Sequence, residues 1–177
     1  MKISFILPAH NEEDIIESSV QKVCSFLEKN KYNFEIIIAE DGSTDRTYEI
    51  AKSLVNSKIK LTHSRRKLGK GKAIKNAIRN SKGDIIIFSD ADLAAKLEHS
   101  EEIIKKINNG CDVCIGSRFL DSKKVVRPLH RKIASSSYNR LVRLIFDTKI
   151  TDFQCGLKGF HKKTSKILLS AKDNEWF

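Results

Sequence analysis

Residues 34–45 read Phe-Glu-Ile-Ile-Ile-Ala-Glu-Asp-Gly-Ser-Thr-Asp. A near-continuous apolar run breaks directly into acids and a turn signal. A run that does not alternate with polar residues predicts a strand covered on both faces, the habit of a parallel sheet flanked by helices. The same transition occurs twice more: residues 3–7 run into Pro8-Ala9-His10-Asn11-Glu12, and residues 85–89 run into Asp90-Ala91-Asp92. Two further short runs, 59–62 and 113–116, complete the predicted strands. Between them the apolar period lengthens to three or four residues. It predicts a helix after Asn11, a good N-cap, with Ile16, Val20, Val23 and Phe26 or Leu27 on its inner face. Further helices are predicted over 44–57, 72–81, 98–108 and 132–146. The expected fold is α/β, a Rossmann-like three-layer sandwich with a mostly parallel central sheet.

The 177 residues carry 33 Lys plus Arg against 22 Asp plus Glu, a net charge of +11, with 40% hydrophobic and 31% charged residues. That balance is globular, and a chain of this length buries roughly 70% of its extended surface. Folding then needs no disulfide or structural metal, so the four cysteines read as free thiols. Two prolines and no low-complexity tract give no linker, so one domain is expected over 1–177. No run approaches the ~20 apolar residues of a membrane span, and the first residues lack the apolar stretch of a signal peptide. A cytoplasmic location is expected.

The positive charge is unevenly placed. Residues 1–50 hold ten acids against five bases, whereas residues 51–83 contain no acid and include Lys58, Lys60, Arg65, Arg66, Lys67, Lys70, Lys72, Lys75, Arg79 and Lys82. A second basic block spans 123–149. Such stripes suit a polyanion: nucleotide phosphates, anionic lipid or nucleic acid. Aromatic residues make up only 7% and are scattered, so no base-stacking platform emerges and nucleic acid is not the expected partner.

In open α/β sheets ligands bind beyond the carboxyl ends of the strands. There the sequence places carboxylates after three strands. Asp41 is positioned to accept from a ribose hydroxyl or a base N–H. Asp90 and Asp92, at i and i+2 of a segment expected to be extended, would point the same way and grip one hard cation, Mg2+ or Mn2+, together with a diphosphate. A glycine-rich dinucleotide fingerprint is absent from the first turn. Gly69-Lys70-Gly71-Lys72 is followed by Ala73 where a P-loop needs a hydroxyl. Cys111-Asp112-Val113-Cys114 enters a strand, unlike reactive thiol pairs, which open helices, so this pair is expected to be buried structural thiols.

The motifs Pro8-Ala9-His10-Asn11-Glu12, Asp41-Gly42-Ser43-Thr44-Asp45, Gly69-Lys70-Gly71, Asp90-Ala91-Asp92, Gly116-Ser117-Arg118 and Thr151-Asp152-Phe153-Gln154-Cys155-Gly156-Leu157-Lys158 stand in this order along the whole chain. Together they resemble the family 2 glycosyltransferases of the GT-A fold, in their dolichyl-phosphate glucosyl- and mannosyltransferase branch. The resemblance implies that a nucleotide sugar contacts Pro8, Ala9, Asn11, Glu12, Asp41, Lys70 and Asp90, and that Asp90 and Asp92 are catalytic and hold the metal. It also implies that later basic residues receive a lipid phosphate, a role expected of Arg118, Arg131 and Ser135. Mannosyl members carry Gln where this chain has Ala94, so the glucosyl branch, with UDP-glucose ahead of GDP-mannose, is the expected one. Family members continue past Phe177, so the sequence is expected to be a truncated form.

A lipid phosphate acceptor is already largely ionised at neutral pH, and backside attack would invert the anomeric centre to a β-linked product. A saccharide or protein hydroxyl acceptor would need a base, for which Asp152 is the catalytic candidate. Residues 132–146 mix Arg140 and Arg143 with apolar side chains; they read as a core helix or as a basic amphipathic helix on an anionic membrane surface. Peripheral association with the cytoplasmic face of a membrane is expected, with room for a separate membrane-anchoring partner. A basic nucleic-acid-binding module and an inactive nucleotide-sugar sensor stand as the other classes.

Overall fold

The computed structural model describes residues 1–117, 152–153 and 155–170. The elements in chain order are β1 (Lys2–Ala9), α1 (Ile16–Lys29), β2 (Asn33–Asp41), α2 (Thr47–Ser53), β3 (Ile59–Ser64), α3 (Lys70–Asn80), β4 (Ile85–Phe88), α4 (Glu98–Asn108), β5 (Val113–Ile115), β6 (Lys158–His161), a 3-10 turn (Lys162–Thr164) and α5 (Ser165–Ser170). The sheet order is β3-β2-β1-β4-β6-β5. Strands β1 to β4 run parallel, and β6 is antiparallel to both β4 and β5.

The apolar runs become the centre of the sheet because both faces are covered. Ile3, Ile6, Ile36, Ile37, Ile38, Ile85, Ile86 and Ile87 are at most 1% exposed. Each such burial is worth about 1.5 to 3 kcal/mol relative to an exposed side chain. Alternate residues serve opposite layers. Ile3, Phe5 and Leu7 pack with Val20, Val23 and Leu27 of α1 and Ile103, Ile104 and Ile107 of α4. Ile6, Ile37 and Ile86 pack on the other face with Ala73, Ile74, Ala77 and Ile78 of α3. The three-layer α/β reading of the sequence therefore holds.

Several local expectations change. Asn11 does not cap α1. The helix starts at Ile16 with no side-chain cap, while Asn11 takes φ +56° and bonds across to the loop after β2, its backbone N–H donating to Ser43 Oγ at 3.0 Å and its Oδ1 accepting from Thr44 N–H at 2.9 Å. The helix expected over 44–57 shrinks to Thr47–Ser53: Ser43 and Thr44 are spent on that clasp, and beyond the helix Asn56 turns the chain toward β3, its Oδ1 accepting from the Lys58 and Ile59 N–H groups. Strand β6 has no counterpart among the predicted strands. The Cys111 and Cys114 pair is not buried as expected: Cys114 is half-buried and Cys111 exposed, since Cys111 precedes a strand at the sheet edge, while Cys24 is half-buried and Cys155 buried. The predicted helix over 132–146 lies outside the described residues, as do Arg118, Arg131, Ser135 and Gln154. Among the described residues no helix is long and apolar enough to cross a membrane.

Candidate functional site

Parallel register brings four loops to the carboxyl edge of the sheet. Ala9 of β1 lies opposite Glu40 of β2, and Asp41 lies opposite Ser64 of β3. Between these loops opens a cleft of about 430 Å³, lined by Pro8, Ala9, His10 and Glu12 from the first loop, Ala39 and Asp41 from the second, Lys67, Lys70 and Ala73 from the third, and Asp90, Ala91 and Asp92 from the fourth. Of the residues expected to meet a nucleotide sugar, Pro8, Ala9, Glu12, Asp41, Lys70 and Asp90 line it. Asn11 does not; its polar groups hold the loop.

Much of the acidic motif after β2 is architecture. Thr47 Oγ1 accepts from Glu12 N–H at 2.7 Å, Asp45 accepts from Thr47 N–H at 2.9 Å and from Glu13 N–H at 3.2 Å, and Glu13 Oε2 accepts from Arg46 N–H at 3.0 Å. Behind them Glu40 is 2% exposed. Burial opposes its ionisation, but hydrogen bonds from the Ser43 backbone and side chain and from His63 prevail and hold its pKa below the usual carboxylate value.

Asp41 has two duties. It is 2% exposed, and its two carboxylate oxygens accept from Leu68 N–H at 2.8 Å and Gly69 N–H at 2.9 Å. Gly42, at φ +63°, lets this happen, because a Cβ there would stand 2.3 Å from the Arg66 carbonyl carbon. Each carboxylate oxygen has two acceptor sites, so Asp41 retains capacity toward the cleft. His10 Nδ1 lies 2.9 Å from the Asp41 carbonyl oxygen and therefore donates to it. The first and second loops are tied at the cleft floor.

The Asp90-Ala91-Asp92 segment is a turn rather than the extended segment expected from sequence, closed by Leu93 N–H donating to Asp90 C=O at 3.0 Å. Strand β4 ends at Phe88, and Ser19 of α1 holds the turn by donating to the Ala91 carbonyl at 2.5 Å. Both aspartates still face one cleft. Asp90 pairs closely with Lys70 Nζ, while Asp92 Oδ1 accepts from Ala94 N–H at 3.0 Å. Glu12 completes an acidic cluster: burial first, then Asp92, Asp45 and Asp90, raise its pKa, with His10 acting in the opposite sense. Like charges gathered this closely fit a hard cation, which would relieve their repulsion. No group of three side chains among the described residues is already arranged as a metal cage. Asp90 and Asp92 match a site in which two carboxylates leave the other positions to phosphate oxygens and water.

Asp152 and Lys158 stand behind this turn. Asp152 is 1% exposed and does not line the cleft. Lys158 Nζ lies 5.7 Å from the Phe88 ring centroid. Burial, then Lys70, lowers the Lys158 pKa, against the opposing pull of Cys155, Asp90 and Asp152. Sequence reasoning missed Lys67, hidden within Arg65-Arg66-Lys67, and left His10 unassigned. It also missed Lys158 as a neighbour of the acids, because that lysine arrives on the unpredicted β6.

With this site in place, comparison with known proteins is decisive. The model of the family described as Glycosyl transferase family 2 matches residues 4–168. The chain belongs to glycosyl transferase family 2. Within the family it is 37% identical over 183 residues to Glycosyltransferase AglD of Haloferax volcanii, covering 100% of this chain and 29% of that protein. It is 34% identical to a dolichyl-phosphate beta-glucosyltransferase of Trichomonas vaginalis, covering 94% of the chain and 55% of the relative. A dolichol-phosphate mannosyltransferase of Pyrococcus furiosus is 32% identical, with 95% and 47% covered. The chain thus spans between about a third and a half of the length of these curated relatives. Among solved structures, mannosyl-3-phosphoglycerate synthase of Rubrobacter xylanophilus has a TM-score of 0.71 at 16% identity, over 92% of this chain and 54% of that one. Glucosyl-3-phosphoglycerate synthase of Mycobacterium tuberculosis, in complex with Mn2+, UDP and glucosyl-3-phosphoglycerate, has a TM-score of 0.65 at 21% identity, over 92% and 57%. These structural likenesses show the fold, GT-A.

Proposed function

We propose that this chain is the catalytic part of an inverting hexosyltransferase that moves a sugar from a nucleotide sugar to a dolichyl or polyprenyl phosphate at the cytoplasmic face of a membrane. UDP-glucose is the favoured donor and GDP-mannose the next. One observation carries the reading: a single cleft joins Asp41, a buried acceptor suited to a nucleoside, to Asp90, Asp92, Lys67 and Lys70, a set suited to a diphosphate and its counter-ion. The names of the dolichyl- and dolichol-phosphate relatives support the acceptor, and the Mn2+ and UDP of the solved neighbour support the donor and metal.

The residues divide the labour by charge. Asp90 and Asp92 would hold Mg2+ or Mn2+, whose chemistry is to neutralise the departing nucleoside diphosphate as a Lewis acid. Lys67 and Lys70 add fixed positive charge around the same phosphates. Asp41 orients the nucleoside, and the Asp41-held loop positions Lys70 at the first turn of α3. The acceptor phosphate, with a second pKa of ~6, needs no strong base to attack. Positioning and charge compensation then carry the reaction, and backside attack gives the β-anomer. A hydroxyl acceptor activated by Asp152 draws no support from the place of that residue, which is buried and off the cleft wall.

Calorimetric titration with UDP-glucose and GDP-mannose, with Mn2+ and with EDTA, tests the donor. Transfer to dolichyl phosphate, followed by anomer analysis, tests the acceptor and stereochemistry. Replacing both Asp90 and Asp92 by Ala should lower turnover about 10³-fold, equivalent to ~4 kcal/mol of transition-state stabilisation. Donor affinity indifferent to EDTA, or an α-linked product, overturns the reading.

A further inference from the structure

The pairing of Lys70 with Asp90 has a role beyond binding phosphate. We infer that Lys70 is a placeholder cation on Asp90 that restrains metal binding until a nucleotide diphosphate draws it away, so that metal and nucleotide bind this chain cooperatively. The inference rests on the reading of Asp90 and Asp92 as the metal-holding pair.

Three features support it. First, the Asp90 carboxylate, partly exposed at the cleft, is flanked at both oxygens. Lys70 Nζ donates to Oδ1, and the Gly156 backbone presses against Oδ2, where an added Cβ would stand only 2.1 Å away. A cation seeking Asp90 must compete with the Lys70 ammonium. Asp92 differs: it is exposed and accepts from the Ala94 N–H, with no ion pair to a described lysine or arginine, so Asp90 is the restrained member of the pair.

Second, Lys70 can be released without disturbing its backbone. It begins α3, the Gly69 N–H just before it is anchored on Asp41, and its side chain is 38% exposed at the cleft. Exchanging Asp90 for a phosphate oxygen therefore requires only a rotamer change. Third, the positive charge is crowded. Half-buried Lys158 lies close enough to Lys70 and Asp90 to interact electrostatically with both. Removing Lys70 from Asp90 toward an incoming diphosphate relieves this crowding, whereas adding a divalent ion with Lys70 still in place would worsen it.

The thermodynamic consequence is reciprocal. If nucleotide removes a competitor of the metal, nucleotide must raise metal affinity and metal must raise nucleotide affinity by the same factor. The part of that coupling due to Lys70 is the strength of a partly exposed ion pair, about fivefold in affinity.

The test is electron paramagnetic resonance titration of free Mn2+ with the full chain, alone and with saturating UDP or GDP, for wild type, Lys70→Gln and Lys70→Arg. Lys70→Gln should bind Mn2+ alone about fivefold more tightly than wild type and show a smaller nucleotide-driven gain. Lys70→Arg, which retains the cation, should bind Mn2+ alone like wild type. Thermal melting confirms that the variants are folded. If wild type and Lys70→Gln bind Mn2+ with the same affinity and the same nucleotide effect, the placeholder inference fails while the metal site stands. If no variant binds Mn2+ even with UDP or GDP, the assignment of Asp90 and Asp92 fails, and this inference with it.

Discussion

The two ends of the sheet hold carboxylates under opposite conditions. At the amino end, Glu35 of β2 is 1% exposed and fully served: Ser4 Oγ donates at 2.7 Å, Lys60 Nζ at 2.5 Å, Lys2 Nζ at 3.2 Å and Lys82 N–H at 2.5 Å. Burial would raise its pKa, but those donors bring it down from 4.5 to about 2. At the carboxyl end, Glu12 stands among Asp45, Asp90 and Asp92, and its pKa is raised. One acid is stabilised as an anion by the fold, whereas the other is destabilised as an anion by burial first and then by its acidic neighbours. The first arrangement fastens β1, β2, β3 and the approach to β4; the second leaves negative charge for a cation to compensate. Self-repulsion of this kind is tolerated where binding offsets it.

The largest effect that would sharpen this contrast comes from Gly156→Ala. The new methyl would have to displace the Asp90 carboxylate, which it would otherwise meet at 2.1 Å. The φ of Gly156 lies outside the left-handed region, so the backbone itself accepts alanine. Displacing a reacting geometry by about 1 Å costs on the order of 100-fold in turnover. Turnover should fall by that amount while thermal stability changes little. Turnover within threefold of wild type would show that Asp90 tolerates relocation, and the carboxyl end would lose its claim to a fixed geometry.

The contrast also explains what the sequence discloses. Strands β1, β2 and β4 were legible because parallel strands buried on both faces leave near-continuous apolar runs, whereas β3, at the sheet edge, is mostly half-buried and showed only as the short run 59–62. Strand β6 was not, because Lys158-Gly159-Phe160-His161 carries one large apolar side chain. It owes its place to its neighbours: Gly159 fits where a Cβ would stand 2.4 Å from Ile103 Cγ2. The acids of the site were legible by their positions after strands, but their division of labour was not. Asn11, Ser43 and Asp45 resemble binding residues locally, yet they bond to partners about 30 residues away. Local periodicity contains no record of such pairings. Nor does it show that the Asp90 segment turns, because that geometry depends on the Ser19 hydroxyl of another element.

A smaller but distinct effect is expected at the amino end. Glu35→Gln removes the anion but preserves the shape, leaving Lys2 and Lys60 without their shared charge partner. Because the folded pKa lies below the unfolded value, the ionised Glu35 contributes its full stability above about pH 4.5 and loses it as pH falls toward 2. Allowing for the partial exposure of both lysines, the loss at pH 7 should be on the order of 2 to 3 kcal/mol. Urea unfolding from pH 2 to 7 should show wild type and variant converging at the acid end. A constant difference across that range would mean that Glu35 acts through packing and not through charge.

Glu12→Gln is expected to have the smallest effect, and one of opposite sign. An acid whose pKa is raised by folding costs stability when ionised, so the penalty is present at neutral pH and fades as pH falls and the carboxyl protonates. The variant should therefore melt slightly higher than wild type at pH 7, with the difference narrowing toward pH 4. The same substitution should weaken Mn2+ binding, because it removes negative charge from the cluster around Asp90 and Asp92. Stability and ion affinity would then move in opposite directions at the carboxyl end, whereas at the amino end Glu35→Gln should lower stability and leave Mn2+ affinity unchanged. If Glu12→Gln lowered both, Glu12 would be a structural acid like Glu35, and the distinction between the two ends of the sheet would rest on Asp90 and Asp92 alone.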